Sequence, residues 1–133
     1  MRVWIAGLVF AIGFAMGAVA QDRDIEGVIS GQIEAFKADD FEEAFTFAAP
    51  SIQLMFRTPE NFGIMVRRGY PMVWRPAEVT FLDLREEGGR IVQTEQHEDA
   101  EGTLHLLAYT MTQTEAGRKI SGVQFLEAPG VAA

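Results

Sequence analysis

The sequence predicts an α+β fold in which N-terminal helices pack on a curved C-terminal four-stranded antiparallel sheet. Three observations carry that expectation. Apolar residues recur at helical spacing through the first half, whereas from Glu78 they fall in runs rich in Val, Ile, Thr, Phe and Tyr. Helix start signals stand in the first half, at Asp40 with Glu43 and at Thr58-Pro59-Glu60. The later runs are separated by EEGG, DAEG and EAG, short turn-forming links of the kind that join antiparallel neighbours.

Residues 1–20 read as a secretory signal peptide. Arg2 precedes an uncharged apolar run from Val3 to about Met16, and Ala18-Val19-Ala20 offers the small-x-small pattern that signal peptidase accepts. An uncleaved anchor is the competing reading, because the run nears the lower length for a bilayer span. Its Gly and Ala content and its cleavage-type end favour removal after Ala20. The expected localisation is therefore periplasmic or secreted, with no membrane contact after cleavage. Residues 21–128 are expected to form a single α+β domain, and residues 129–133 a flexible C-terminal tail.

Composition narrows the chemistry. The 133-residue chain has no cysteine, which excludes disulfides, thiol catalysis and thiolate metal sites together. Stability must come from packing, for which 10 Phe and 6 Met are an adequate supply. The formal charge is −8, and losing Arg2 with the leader makes it −9. Such a surface repels phosphate backbones, so nucleic acid is not an expected partner.

The helical half divides at its breakers. Ile25, Val28, Ile29, Ile33 and Phe36 form one helical stripe. Gly27 and Gly31, four apart within it, are poor helix formers that allow another element to approach closely. A second helix is predicted from Asp40, with Asp40 and Glu43 as a capping box, Phe41, Ala44, Phe45 and Ala48 as its apolar face, and Pro50 as its end. Ile52, Met55 and Phe56 suggest a further helical turn or two. From Thr58 a new helix turns Phe62, Met65 and Val66 to the core. Arg67 and Arg68 suit the negative end of its dipole, and Gly69 is placed as a left-handed cap. Met72, Val73 and Trp74, between Pro71 and Pro76, read as an extended connection to the sheet. In the third strand His105, Leu107, Tyr109 and Met111 alternate with Leu104, Leu106 and Ala108, so both of its faces are expected to be covered.

The stretches QIEAFKADDFEEAFTFAAP, TPENFGIMVRRGYPMVW and LLAYTMTQTEAGRKISGVQF are similar to an uncharacterised family of small exported bacterial proteins, a domain of unknown function. The order of elements resembles the cone-shaped, cystatin-like α+β fold of the nuclear-transport-factor-2-like superfamily. That resemblance implies a pocket at one open end of the cone, where related isomerases and dehydratases place a carboxylate or histidine near a proton to be moved. Many relatives carry an aromatic residue two positions before the isoleucine of the last strand; here Arg118 precedes Ile120.

Acid–base work needs a group tuned by burial and a donor for the developing oxyanion. Asp83 shares by alternation the face of Val79 and Phe81; Tyr109 is a candidate donor, and His105 on the same face a second titrating group. For each, an exposed or packed strand residue is the simpler reading. His97, in TEQHED, reads as a hydrophilic strand end, and consecutive side chains of HED point to opposite faces and cannot converge on one metal. No glycine elbow or phosphate loop is present. The expected function is thus a non-catalytic exported module, needing no cofactor, that binds a small apolar ligand or a protein partner. Tyr70, Trp74, Tyr109 and Met111 are the candidate contacts. A pocket enzyme of isomerase or dehydratase type with a buried carboxylate as general base is the alternative, and a homodimer joined through the sheet a third.

Overall fold

The computed structural model describes residues 23–127. The expected signal peptide (residues 1–20) and tail (residues 129–133) lie outside the described residues. The first described helix, α1, covers residues 23–37 and buries the stripe Ile25, Ile29, Ile33 and Phe36. Gly31 is a point of close approach: a Cβ there would lie 2.8 Å from the Phe47 ring. A Cβ at Gly27 would meet nothing within 4 Å among the described residues, so of the two glycines it is Gly31 that serves packing there.

Helix α2 (Phe41–Thr46) starts as expected, with Asp40 Oδ1 accepting from the Glu43 N–H at 3.1 Å. The reciprocal half of the capping box is absent, because the Asp40 N–H donates to Ala35 O at 2.8 Å. The helix ends at Thr46, four residues before the expected stop. Pro50 instead opens α3 (Pro50–Phe56), where its missing N–H would have had no intrahelical partner. Helix α4 (Pro59–Gly69) is capped by Thr58, whose Oγ1 accepts from the Asn61 N–H at 3.1 Å. Gly69 does not act as a left-handed cap: it remains helical, and Tyr70 at φ −136° and ψ 55° ends the helix. The expected extended stretch beyond it is a short helix, α5 (Pro71–Trp74). Proline fixes a helical φ at its first position, and the Val73 and Trp74 N–H groups donate to Tyr70 O at 2.8 and 3.0 Å.

The four strands, β1 (Glu78–Glu87), β2 (Arg90–Glu98), β3 (Leu104–Thr114) and β4 (Gly117–Leu126), form one antiparallel sheet in the order β1-β2-β3-β4. Gly88 and Gly89 close the first hairpin at φ +54° and +82°, a two-residue turn that needs left-handed backbone at both positions. A bulge interrupts each outer strand. In β1, Phe81 pairs with Glu95 but Leu84 with Gln93; in β4, Gly122 pairs with Thr110 but Ile120 with Met111. Each extra residue bends its strand and raises the local twist. The third strand turns Leu107, Tyr109 and Met111 toward the helices, where they join Ile91, Ile120 and the α1 stripe in one core. Phe62 centres the aromatic part, with ring centroids 5.8 Å from Phe36, 5.3 Å from Phe45 and 5.7 Å from Phe56.

Candidate functional site

Two features stand out on the helix-facing side of the sheet. The first is an apolar pocket of about 380 Å³ between the helices and β4. Its floor is Ile120, Gly122 and Val123; Phe36 and Gln32 of α1 form one wall, Phe62, Met65 and Val66 of α4 another, and Val73 of α5 closes the end. Helix α3 lies over it, contributing Ile52, Met55 and Phe56. No residue of α3 is buried, and Leu54 and Met55 are 79% and 69% exposed. This helix is held by its half-buried Ile52 and Phe56, which pack against the core, and by Gln53, whose Nε2 donates to Phe45 O at 3.0 Å and Ala48 O at 3.2 Å. Tyr70 also lines the pocket, and its ring stacks on Phe125 with centroids 5.0 Å apart and planes 7° from parallel.

The second feature is a sealed polar group. Strand alternation along β2 turns Ile91, Gln93, Glu95 and His97 to one face. Glu95 and His97 are both 0% exposed, and their side chains meet at 2.8 Å between Oε1 and Nε2. His97 Nδ1 lies 2.8 Å from Met72 O. A carbonyl only accepts, so Nδ1 carries the hydrogen and donates. Tyr109, also fully buried, stacks on His97 with ring centroids 6.0 Å apart. Two polar atoms of this group have no hydrogen-bond partner among the described residues, Glu95 Oε2 and the Tyr109 hydroxyl. Burial raises the Glu95 carboxyl above its ordinary value; the His97 hydrogen bond and charge oppose that rise, and Glu26 adds to it. Burial, reinforced by the charge of Glu95, pushes the Tyr109 phenol well above its own.

The structure separates the residues that the sequence suggested. Asp83 is not on the buried face: its side chain is 62% exposed, 3.7 Å from Arg85. The bulge between Phe81 and Leu84 breaks the alternation, so Leu84 takes the inward position and Asp83 turns out. Gln93 meets the disturbed backbone, its Nε2 lying 3.3 Å from both Leu82 O and Asp83 O. His105 is half-buried and bonds Asp99 Oδ2 at 2.8 Å, away from any shared point with Asp83. Asp99 in turn accepts from the Glu101 and Thr103 N–H groups, so His105 braces the β2–β3 turn. The His105 bond and then the Thr103 N–H hold the Asp99 carboxyl below its ordinary value.

Of the four candidate contacts, Tyr70 lines the pocket. Tyr109 and Met111 are fully buried beneath it in the core, outside its lining. Trp74 also lies outside: its Nε1 donates to Asp39 Oδ1 at 3.0 Å, and Arg75 reaches Asp39 Oδ2 at 2.9 Å. His97, read as a hydrophilic strand end, is instead one of the most buried side chains. Its signal was present in the alternation Ile91, Gln93, Glu95, His97, which continues the core face of Tyr109 across the β2–β3 pairing.

The family described as Domain of unknown function (DUF4864) matches residues 18–133. No curated protein and no solved structure matches the chain.

Proposed function

The chain belongs to the DUF4864 family, and from that premise we propose that it is an exported, non-catalytic module that holds a small hydrophobic ligand in the pocket beneath α3. The observation that carries this reading is the pocket itself. At about 380 Å³ it has the size of small-molecule sites, and its walls are aliphatic, aromatic and thioether groups. Helix α3 supports it further, since it covers the pocket with no fully buried residue, only the half-buried Ile52 and Phe56 resting on the core. The apolar leader and its small-x-small end support export. Helices preceding a bulged antiparallel sheet support kinship with the cone-shaped fold.

The acid–base alternative loses its first candidate, because Asp83 stands in solvent. Glu95 is a buried carboxylate, yet it lies outside the pocket lining and is occupied by His97.

The test is thermal shift and native mass spectrometry on protein recovered after expression of the full sequence, with a panel of apolar molecules. A binder raises the melting temperature in proportion to its occupancy. Met65→Trp and Val123→Trp, which fill the pocket from partly exposed positions, abolish the shift. Absence of any shift across the panel, or an unchanged shift in both variants, removes the reading.

A further inference from the structure

We infer that the pocket selects electrically neutral ligands, with Gln32 as the amide that addresses their polar end, and rejects anions such as fatty-acid carboxylates. This rests on the ligand-binding reading above. Gln32 stands in the buried stripe of α1, three residues after Ile29 and four before Phe36, where an aliphatic side chain would pack. It is 3% exposed, and its Nε2 donates to Ala44 O at 3.1 Å. That bond fixes the amide at the pocket wall. A carboxamide has two N–H donors and a carbonyl acceptor, so one N–H and the oxygen are available to a hydroxyl, ketone or ester inside.

Among the described residues, no charged side chain lines the pocket. The basic residues of the bordering elements are directed elsewhere or lie outside the lining. Arg67 sits over the Phe41 ring at 5.3 Å, Lys119 donates to Thr46 O at 2.8 Å, and Arg118 faces Asp24 at 4.0 Å. Neither Arg57 nor Arg68 reaches the wall. A carboxylate drawn into this space would lose its hydration without gaining a cation, a strongly unfavourable transfer. The formal charge of −8 opposes its approach as well.

The experiment is calorimetric titration of the full-length expressed protein with decanol, methyl decanoate and decanoate at about pH 8, where the acid is ionised. Decanol and methyl decanoate bind, and decanoate binds at least roughly tenfold more weakly. Gln32→Met keeps the side-chain length without the amide; it weakens decanol roughly fivefold and leaves pyrene, which has no polar group, unchanged. Decanoate binding as tightly as decanol overturns this inference and leaves the pocket reading intact. No binding by any of the three overturns both. Equal decanol affinity in wild type and Gln32→Met overturns the role given to Gln32, and the wild-type comparison needs no variant to fold.

Discussion

His97 Nε2 lies 2.8 Å from Glu95 Oε1 at a point where neither side chain touches solvent. Because His97 Nδ1 donates to Met72 O, a single further proton lies between the imidazole and the carboxylate. Whether that proton rests on nitrogen or oxygen, the pair as a whole is neutral, which is why the core tolerates it.

Removing one partner is therefore costly. His97→Leu strands Glu95 among apolar groups and is expected to destabilise the fold by about 3–5 kcal/mol. Glu95→Gln keeps a donor for His97 Nε2 and is expected to be far milder. Chemical denaturation of both variants checks the order; equal losses would show that the pair contributes no more than its packing.

The pair also sets a pH dependence. The Glu95 carboxyl is raised above its ordinary 4.5, so the folded protein holds more protons than the unfolded chain between the two values. Its contribution is complete below that ordinary value and declines as pH rises through the folded one. Glu95→Gln is expected to flatten this decline, as read from melting temperatures measured from that ordinary value upward. A decline of the same slope in the variant would assign it to other groups.

Trp74 reports on the joint between α5 and the turn after α1. In a chain cut after Ala20 it is the sole tryptophan, the other being Trp4. Its bond to Asp39, followed by that of Arg75, holds the Asp39 carboxyl below its ordinary 3.8. The tether is thus complete above that value and is lost as pH falls through the depressed one. Asp39→Gly, tolerated at φ +58°, is expected to red-shift the tryptophan emission at neutral pH. Wild type is expected to show the same shift in acid.

The two glycines of α1 separate by environment. Gly27→Ala places a methyl group in open space and is expected to gain about 1 kcal/mol of helix propensity. Gly31→Ala must displace the Phe47 ring and is expected to lose about 1–3 kcal/mol. Thermal melts of the two variants shifting in the same direction would contradict the packing at Gly31.

The helices and hairpins were legible because their signals are local. Thr58 before Pro59, or Gly88-Gly89 between β runs, names a cap or a turn without reference to the rest of the chain. The site was less legible because it depends on register. One bulged residue turns Asp83 away from the face that strict alternation gives it, and nothing in TFLDLRE announces that bulge. The hydrophilic neighbours in TEQHED hide the burial of His97, although those that face outward say nothing of the inward row. Met72, Val73 and Trp74 read as extended in sequence because Pro71 both stops one helix and can start another. The pocket arises from side chains contributed by five separate segments, and no stretch of sequence contains it.

The two outer strands present their backbones differently from an open ribbon. Along β4, Ile120 is already engaged on its outer side: its N–H donates to Phe47 O at 2.9 Å and its carbonyl accepts from the Ala49 N–H at 2.8 Å. Along β1, the bulge disrupts the repeat while Asp83, Arg85, Glu86 and Glu87 crowd the flank with charge. Neither border offers a long flat template to a neighbouring molecule. Concentrated solutions are accordingly expected to stay free of cross-strand polymers, even without covalent bridges to keep the chain folded.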